Sequence, residues 1–223
     1  MVENDKCVFV RYNTMPSGFE VMPTKGRWVW DKNDDLAVAP IDLPDWARYV
    51  ALPRATSFVT PEIIEEYNIG IGDDVFMVSR FVGQEGRESN RPALRFGNIS
   101  MMPDEDEPVT FNGEKQEAYL VEMRSIPGCS GSPVFFYVPH HRPSPNMRER
   151  RGDAVTPVLL GIDCGHISEP LALYDEHDKE YPKGWHVYSN TGMAAVIPAW
   201  RLSKLLDKRK LVMARKEEDN RRA

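Results

Sequence analysis

With 223 residues, 41% of them hydrophobic and 28% charged, and with 18 prolines and 15 glycines scattered as turn punctuation, the chain suits one large β domain or two small ones and is neither collagen-like nor disordered. Three cysteines, Cys7, Cys129 and Cys164, are too few for a disulfide framework, no C-x-x-C pair suggests zinc, and no metal or organic cofactor is implied. The net charge of -6 argues against nucleic-acid binding by the body of the protein; with no leader-like N-terminus and no bilayer-length apolar run, a soluble, cytoplasmic protein is expected.

In chain order, short runs rich in β-branched and aromatic residues, bounded by Gly, Pro, Asn or Asp, predict strands over residues 7–12, 27–30 and 36–40. A helix is predicted over 61–67, where Thr60 can cap, Pro61 suits the first helical position and Glu62 meets the positive end of the dipole. Strands follow over 75–81, 94–102, 118–123 and 133–138. The stretch 139–157 mixes prolines with arginines and reads as an exposed connection. After strands over 158–163 and 193–197, a second helix begins near Pro198 and sets Leu202, Leu205, Leu206 and Leu211 on one stripe. Residues 201–223 carry nine Lys or Arg against four Asp or Glu, read as a solvated helix face and basic tail. So many short strands predict an antiparallel barrel or sandwich.

Chemistry concentrates in Ile126-Pro-Gly-Cys-Ser-Gly-Ser-Pro-Val-Phe135, where a serine stands between glycines and leads into an apolar strand. A serine nucleophile needs a tight turn that a carbonyl group can approach, with nearby N–H groups converging on the developing oxyanion. The N–H groups of Gly128 and Ser130 are the candidate donors.

This stretch resembles the Gly-Asp-Ser-Gly-Gly-Pro signature of chymotrypsin-like serine peptidases: Gly128, Ser130, Gly131 and Pro133 match, Ser132 replaces the second glycine and Cys129 the acid. Upstream, Asp34-Asp-Leu-Ala-Val-Ala-Pro40 resembles the strand that delivers the triad aspartate. Asp35 directly precedes the apolar alternation and is expected at the strand mouth, with Asp34 further out in the turn. Arg95-Phe-Gly-Asn-Ile-Ser100 looks like a strand of bacterial trypsin-like peptidase domains. Leu160-Gly-Ile-Asp-Cys-Gly-His166 resembles the strand that pairs with substrate backbone, and Thr191-Gly-Met-Ala-Ala-Val-Ile-Pro198 the wall of the specificity pocket. The resemblance implies a substrate groove lined by Cys164, Gly165, His166, Gly192, Met193 and Ala194, with Arg124 at the base of the primary pocket, favouring acidic side chains.

One part of that family pattern is missing. The family histidine sits in a Thr-Ala-x-His turn before the aspartate strand, whereas the first histidine here is His140. Without an imidazole Ser130 has no base. The reading expected from this is a chain that starts after the histidine turn, with a pseudoenzyme as the competing explanation. His140 and His141 in the arginine-rich stretch, His177 and His186 read as packed or solvated; His166 lies nearest the expected cleft. Cys129 and Cys164 read as buried packing residues, Cys164 also as open to thiol reagents if it borders the cleft. An α/β-hydrolase would need G-x-S-x-G leading into a helix, with acid and histidine after the serine, and fits worse.

The expected architecture is mostly β: a chymotrypsin-like double β-barrel with an incomplete N-terminal barrel (residues 1–85), a C-terminal barrel carrying Ser130 (86–200), and a C-terminal helix with basic tail (201–223). The expected function is a trypsin-like serine endopeptidase acting through an acyl-enzyme on Ser130, with Asp35 orienting the absent base, on peptide or protein substrates and without nucleic-acid or membrane partners. The alternative is a pseudoprotease that binds extended peptides in the same groove.

Overall fold

The computed structural model describes residues 9–15, 17–24, 28–84, 86–111, 113–137, 157–177, 179–181 and 185–222. Cys7, His140, His141 and almost all of the expected 139–157 connection lie outside them. The elements in chain order are β1 (Phe9–Thr14), β2 (Phe19–Pro23), β3 (Val29–Trp30), β4 (Ala37–Val38), β5 (Ala47–Arg48), α1 (Arg54–Ser57), α2 (Pro61–Tyr67), β6 (Asp74–Ser79), β7 (Ala93–Met101), β8 (Val109–Phe111), β9 (Glu114–Gln116), β10 (Tyr119–Glu122), β11 (Pro133–Phe136), β12 (Val158–Ala172), β13 (His186–Pro198), α3 (Ala199–Leu206) and α4 (Arg209–Arg222).

Before residue 50 the described strands form two small open sheets, β2-β1-β5 and β3-β4. Three of these five strands are two residues long, too short to close on one another. Phe19, Val21, Trp30, Trp46, Tyr49 and Val50 consequently stay exposed. The helix predicted at residue 61 forms with the predicted chemistry: the Ile63 N–H donates to Thr60 Oγ1 and Pro61 opens the first turn, while Asn68 ends the helix in the left-handed region at φ 48°.

From β6 onward the chain makes one closed, antiparallel, six-stranded barrel, in the order β10-β13-β12-β11-β6-β7 with β7 returning to β10. Its first strand lies before residue 86, on the N-terminal side of the boundary drawn from sequence. Alternation along β6 turns Val75, Met77 and Ser79 inward, where Met77, Ile99, Val121, Val134, Phe136, Leu160 and Val196 fill the interior. Each such aliphatic or aromatic side chain contributes about 1.5–3 kcal/mol by leaving water. Gly97 permits the close crossing of β7 and β10, since a Cβ there would sit 2.2 Å from the Glu122 carbonyl oxygen.

Two predicted boundaries are corrected. Strands expected over 158–163 and 193–197 continue as a ribbon, with Ser168–Ala172 of β12 pairing with His186–Asn190 of β13. Beyond Ile167 the β12 side chains are exposed on both faces, so no alternation marks that part as strand. The expected single C-terminal helix is two. Asp207 at the break is bound by Arg54 Nη1 at 2.6 Å, and Lys208 Nζ reaches Asp31 Oδ2 at 2.8 Å and the Trp30 carbonyl at 2.9 Å. Two neighbouring residues held by different parts of the body interrupt the helix between them.

A second cluster outside the barrel joins Leu36 to Phe111, Ala118, Cys164, Ala195, Ile197 and Leu205. It lays the Asp34–Asp35 turn against the barrel wall near β12, and this contact positions the site.

Candidate functional site

The seven residues from Ile126 to Ser132 form a turn tied by the backbone N–H groups of Cys129, Gly131 and Ser132. Cys129 N–H donates to the Ile126 carbonyl (3.0 Å), Ser132 N–H to Cys129 (2.9 Å), and Gly131 N–H to Asp163 on β12 (2.7 Å). Asp163 N–H returns a bond to the Ser132 carbonyl at 2.9 Å. The N–H groups of Gly128 and Ser130 donate to no backbone carbonyl of the described residues. Gly128 (φ 95°) and Gly131 (φ 86°) occupy backbone regions that side chains rarely adopt, so the glycines on either side of the Cys-Ser pair are needed for the bend. Cys129 is fully buried in the barrel core and anchors the turn, while Ser130, the next residue, is exposed.

Across the turn, Ser130 Oγ donates to the Cys164 carbonyl at 3.2 Å. Gly165, at φ 144°, stands so close that a Cβ there would lie 3.7 Å from Ser130 Oγ and 2.8 Å from the Phe111 ring. The Cys164 thiol donates to the Ala195 carbonyl at 3.2 Å. Burial, then the carboxylates of Asp163 and Asp35, push that thiol up to about 12. Cys164 therefore links two predicted residues: its carbonyl accepts from Ser130 and its side chain feels the charge of Asp35. Position beside the cleft does not make this thiol reactive, because so little of it is ionised near neutral pH.

Exposure of the paired aspartates is the reverse of the expectation. Asp35 is exposed, whereas the Asp34 side chain is only 6% exposed. Arg201 of α3 explains the reversal: its Nε lies 3.1 Å from Asp34 and 3.3 Å from Glu117, and Gln116 Nε2 donates to Asp34 at 2.9 Å. Gln116 Oε1 also accepts from the Asp35 N–H at 3.2 Å, which holds the turn from its other side.

Among the remaining predicted residues, His166 is half-buried on β12 opposite the buried Ala194 of β13, and Met193 faces Glu122 across the β10–β13 pair. Gly192, at φ 83°, borders open space, with no heavy atom within 4 Å of where its Cβ would be. Arg124 is exposed and makes no ion pair or hydrogen bond to a described residue. No described histidine hydrogen-bonds Ser130, whose hydroxyl proton points at a carbonyl.

Four polar residues around this end of the barrel, Asp163, Ser125, Arg95 and Asn190, were given no role in the sequence reading. Asp163 is fully buried, accepts from Ser125 Oγ at 2.9 Å, and leaves Oδ1 without a partner. Burial raises its pKa to about 6, against the lowering by the Ser125 hydroxyl, the Gly165 N–H and the Arg95 charge. Arg95 buries an unpartnered Nε. Asn190 donates to the Ser125 carbonyl at 2.6 Å and accepts from Gly192 N–H at 2.8 Å. A lone acid inside the apolar run Leu159-Leu-Gly-Ile-Asp-Cys164 was the available signal. Among the described residues, no group of three or more His, Cys, Asp or Glu converges as a metal site would require. No helix of the described residues is long and apolar enough to cross a membrane.

No protein-family model matches the chain, and a search of the curated proteins gives no match. The chain is mostly β and contains a closed six-stranded antiparallel barrel, an architecture compatible with a chymotrypsin-like fold.

Proposed function

We infer that the chain is a serine-peptidase-type domain of chymotrypsin-like fold, whose groove along β12 and β13 binds an extended peptide with its carbonyl at Ser130. The observation that carries this reading is the turn itself. An exposed hydroxyl projects from a bend in which Gly128 and Ser130 keep their N–H groups out of the internal hydrogen bonds. Two such donors beside a hydroxyl are what the substrate's carbonyl oxygen requires as it becomes an oxyanion on attack by that hydroxyl. In this reading Asp35, whose charge reaches the Cys164 thiol, is the carboxylate that would orient an imidazole standing between it and Ser130.

Acylation forms a bond from Ser130 Oγ to the carbonyl carbon, and the hydroxyl proton must pass to a base as that bond grows. Here the proton is directed to the Cys164 carbonyl, which cannot take it. The chain alone is therefore expected to acylate slowly, at the residual level that oxyanion stabilisation and binding sustain. The same hydrogen bond favours the second reading, a non-catalytic peptide binder. Intact-mass measurement after incubation with a fluorophosphonate separates the two. One slow adduct, absent from Ser130→Ala, supports the peptidase-type site; no adduct over a day, with peptide binding retained, leaves the binder.

A further inference from the structure

The connection between β6 and β7 is anchored on two sides. On one, Val82 rests on the serine turn, its Cγ2 lying 2.5 Å from where a Cβ on Gly128 would stand. On the other, β1 holds it: Arg11 Nη2 donates to the Gly86 carbonyl at 2.8 Å, Asn90 N–H to Asn13 Oδ1 at 2.6 Å, and Asn90 Nδ2 to the Arg11 carbonyl at 3.0 Å. The Arg11 guanidinium is itself seated 3.7 Å over the Phe19 ring. The connection thus bridges the N-terminal sheet and the Ser130 turn.

Between these anchors the chain curls around a surface cavity of about 560 Å³, whose lining begins at Gly83, the residue after Val82. The curl depends on Gly86, which has φ 91° and where a Cβ would lie 2.1 Å from the Ser89 carbonyl oxygen. Arg87 and Arg91 bring two guanidinium groups to the cavity, against the one carboxylate of Glu88 among its described lining residues. Neither arginine makes an ion pair or side-chain hydrogen bond to a described residue. The N–H groups of Gly86, Arg87, Glu88 and Ser89 likewise donate to no backbone carbonyl of a described residue. Two guanidinium groups and a run of open backbone donors around one hollow are the components of an anion site, where charge-assisted hydrogen bonds form.

Resting on the peptide-groove reading, we propose that this cavity is a subsite for an acidic side chain in the part of the peptide that continues past the carbonyl at Ser130. The turn meets β12 at Ser130, whose Oγ donates to the Cys164 carbonyl, and meets the β6–β7 connection at Gly128. A peptide that lies along β12 up to Ser130 crosses the turn toward Val82 and the cavity beyond it. There an aspartate or glutamate meets both guanidinium groups, an amide of the same shape loses the attraction between charges, and an ammonium is repelled. Glu88 opposes the incoming carboxylate and limits the preference.

The test is fluorescence anisotropy on the full chain at low salt, with labelled, C-terminally amidated hexapeptides. All keep leucine at the third residue and carry glutamate, glutamine or lysine at both the fourth and the fifth. The glutamate peptide is expected to bind about fivefold tighter than the glutamine peptide, the size that two exposed charge pairs supply, with lysine weakest. Arg87→Gln combined with Arg91→Gln should bring the ratio below about twofold, and Glu88→Gln should raise it. All three side chains are exposed, so these changes alter charge with the fold kept, which circular dichroism checks. Equal affinity for the three peptides, a preference for lysine, or a glutamate preference that survives the double variant overturns the subsite and leaves the groove. No binding of any peptide overturns the subsite; a fluorophosphonate adduct on Ser130 then leaves the peptidase-type reading standing, and its absence removes that reading as well.

Discussion

At Gly128 two demands meet in one residue: its φ of 95° is a region side chains rarely adopt, and a Cβ would lie 2.5 Å from Val82 Cγ2. Gly131 carries only the first demand, with nothing within 4 Å. Gly131→Ala should therefore cost about 1–2 kcal/mol and Gly128→Ala about 2–4 kcal/mol in urea unfolding, with Val82→Ala recovering the steric share only at Gly128. Equal costs, or no recovery, would mean that the loop carrying Val82 does not rest on the turn. The cysteines give a second expectation. At pH 8 a thiol held near 12 is ionised to about one part in ten thousand, so iodoacetamide should leave Cys164 unmodified in the native chain, as it should the fully buried Cys129. Peptide mapping that finds Cys164 alkylated within minutes would contradict its placement. The serine turn was legible in sequence because glycine, serine and proline specify a bend locally. The Asp34 and Asp35 environments were not, because the residue that draws Asp34 inward, Arg201, lies far along the chain and no local pattern announces it.

Elements whose signals are local were read well, and those made by pairing were not. The alternation in β6 and the cap at Thr60 predict a strand and a helix nearly to the residue. β8 (Val-Thr-Phe) and β9 (Glu-Lys-Gln) are three-residue strands, the first too short to stand out despite its apolar Val109 and Phe111 and the second wholly polar, and β5 is a two-residue strand paired with β1, so none had a clear sequence signature. The C-terminal helix shows the same division. Its apolar stripe predicts burial of Leu205 and Leu211, whereas the break at Asp207 comes from partners in the N-terminal segment. Within α3, Arg201 compensates Asp34 before β4 and Glu117 before β10, whose side chains are 6% and 9% exposed. Arg201→Met should cost about 3–5 kcal/mol, because it leaves buried carboxylates uncompensated. Asp34→Asn placed on top of it should return part of that stability. A loss under 1 kcal/mol in urea unfolding would show that these charges are solvated.

For the molecule as a whole, the informative quantity is the stability sacrificed at the barrel end beneath Ser130. Asp163 is an acid kept where its neutral form is preferred, its pKa raised from 3.8 in the unfolded chain to about 6 in the folded one. The folded state thus holds this proton more tightly than the unfolded state, and the resulting stability is full below pH 4 and disappears as pH rises through 6. Holding the carboxyl at about 6 in place of 3.8 corresponds to about 3 kcal/mol lost by neutral pH. Other carboxylates act in the opposite sense: burial pushes Asp31 up, but Lys208 and the Asn33 and Asp34 N–H groups outweigh it and hold that carboxyl low. The raw stability profile therefore mixes both signs, and the difference between wild type and Asp163→Asn isolates the first. That variant should match wild type near pH 4 and exceed it by up to about 3 kcal/mol at pH 7.5, with the gap opening between pH 4 and 6. Arg95, Ser125 and the Gly165 N–H face the same carboxyl, and the comparison with Asp163→Asn keeps all three in place. A difference that stays flat across pH 4 to 7.5 would show that burial does not hold this carboxyl above its ordinary range.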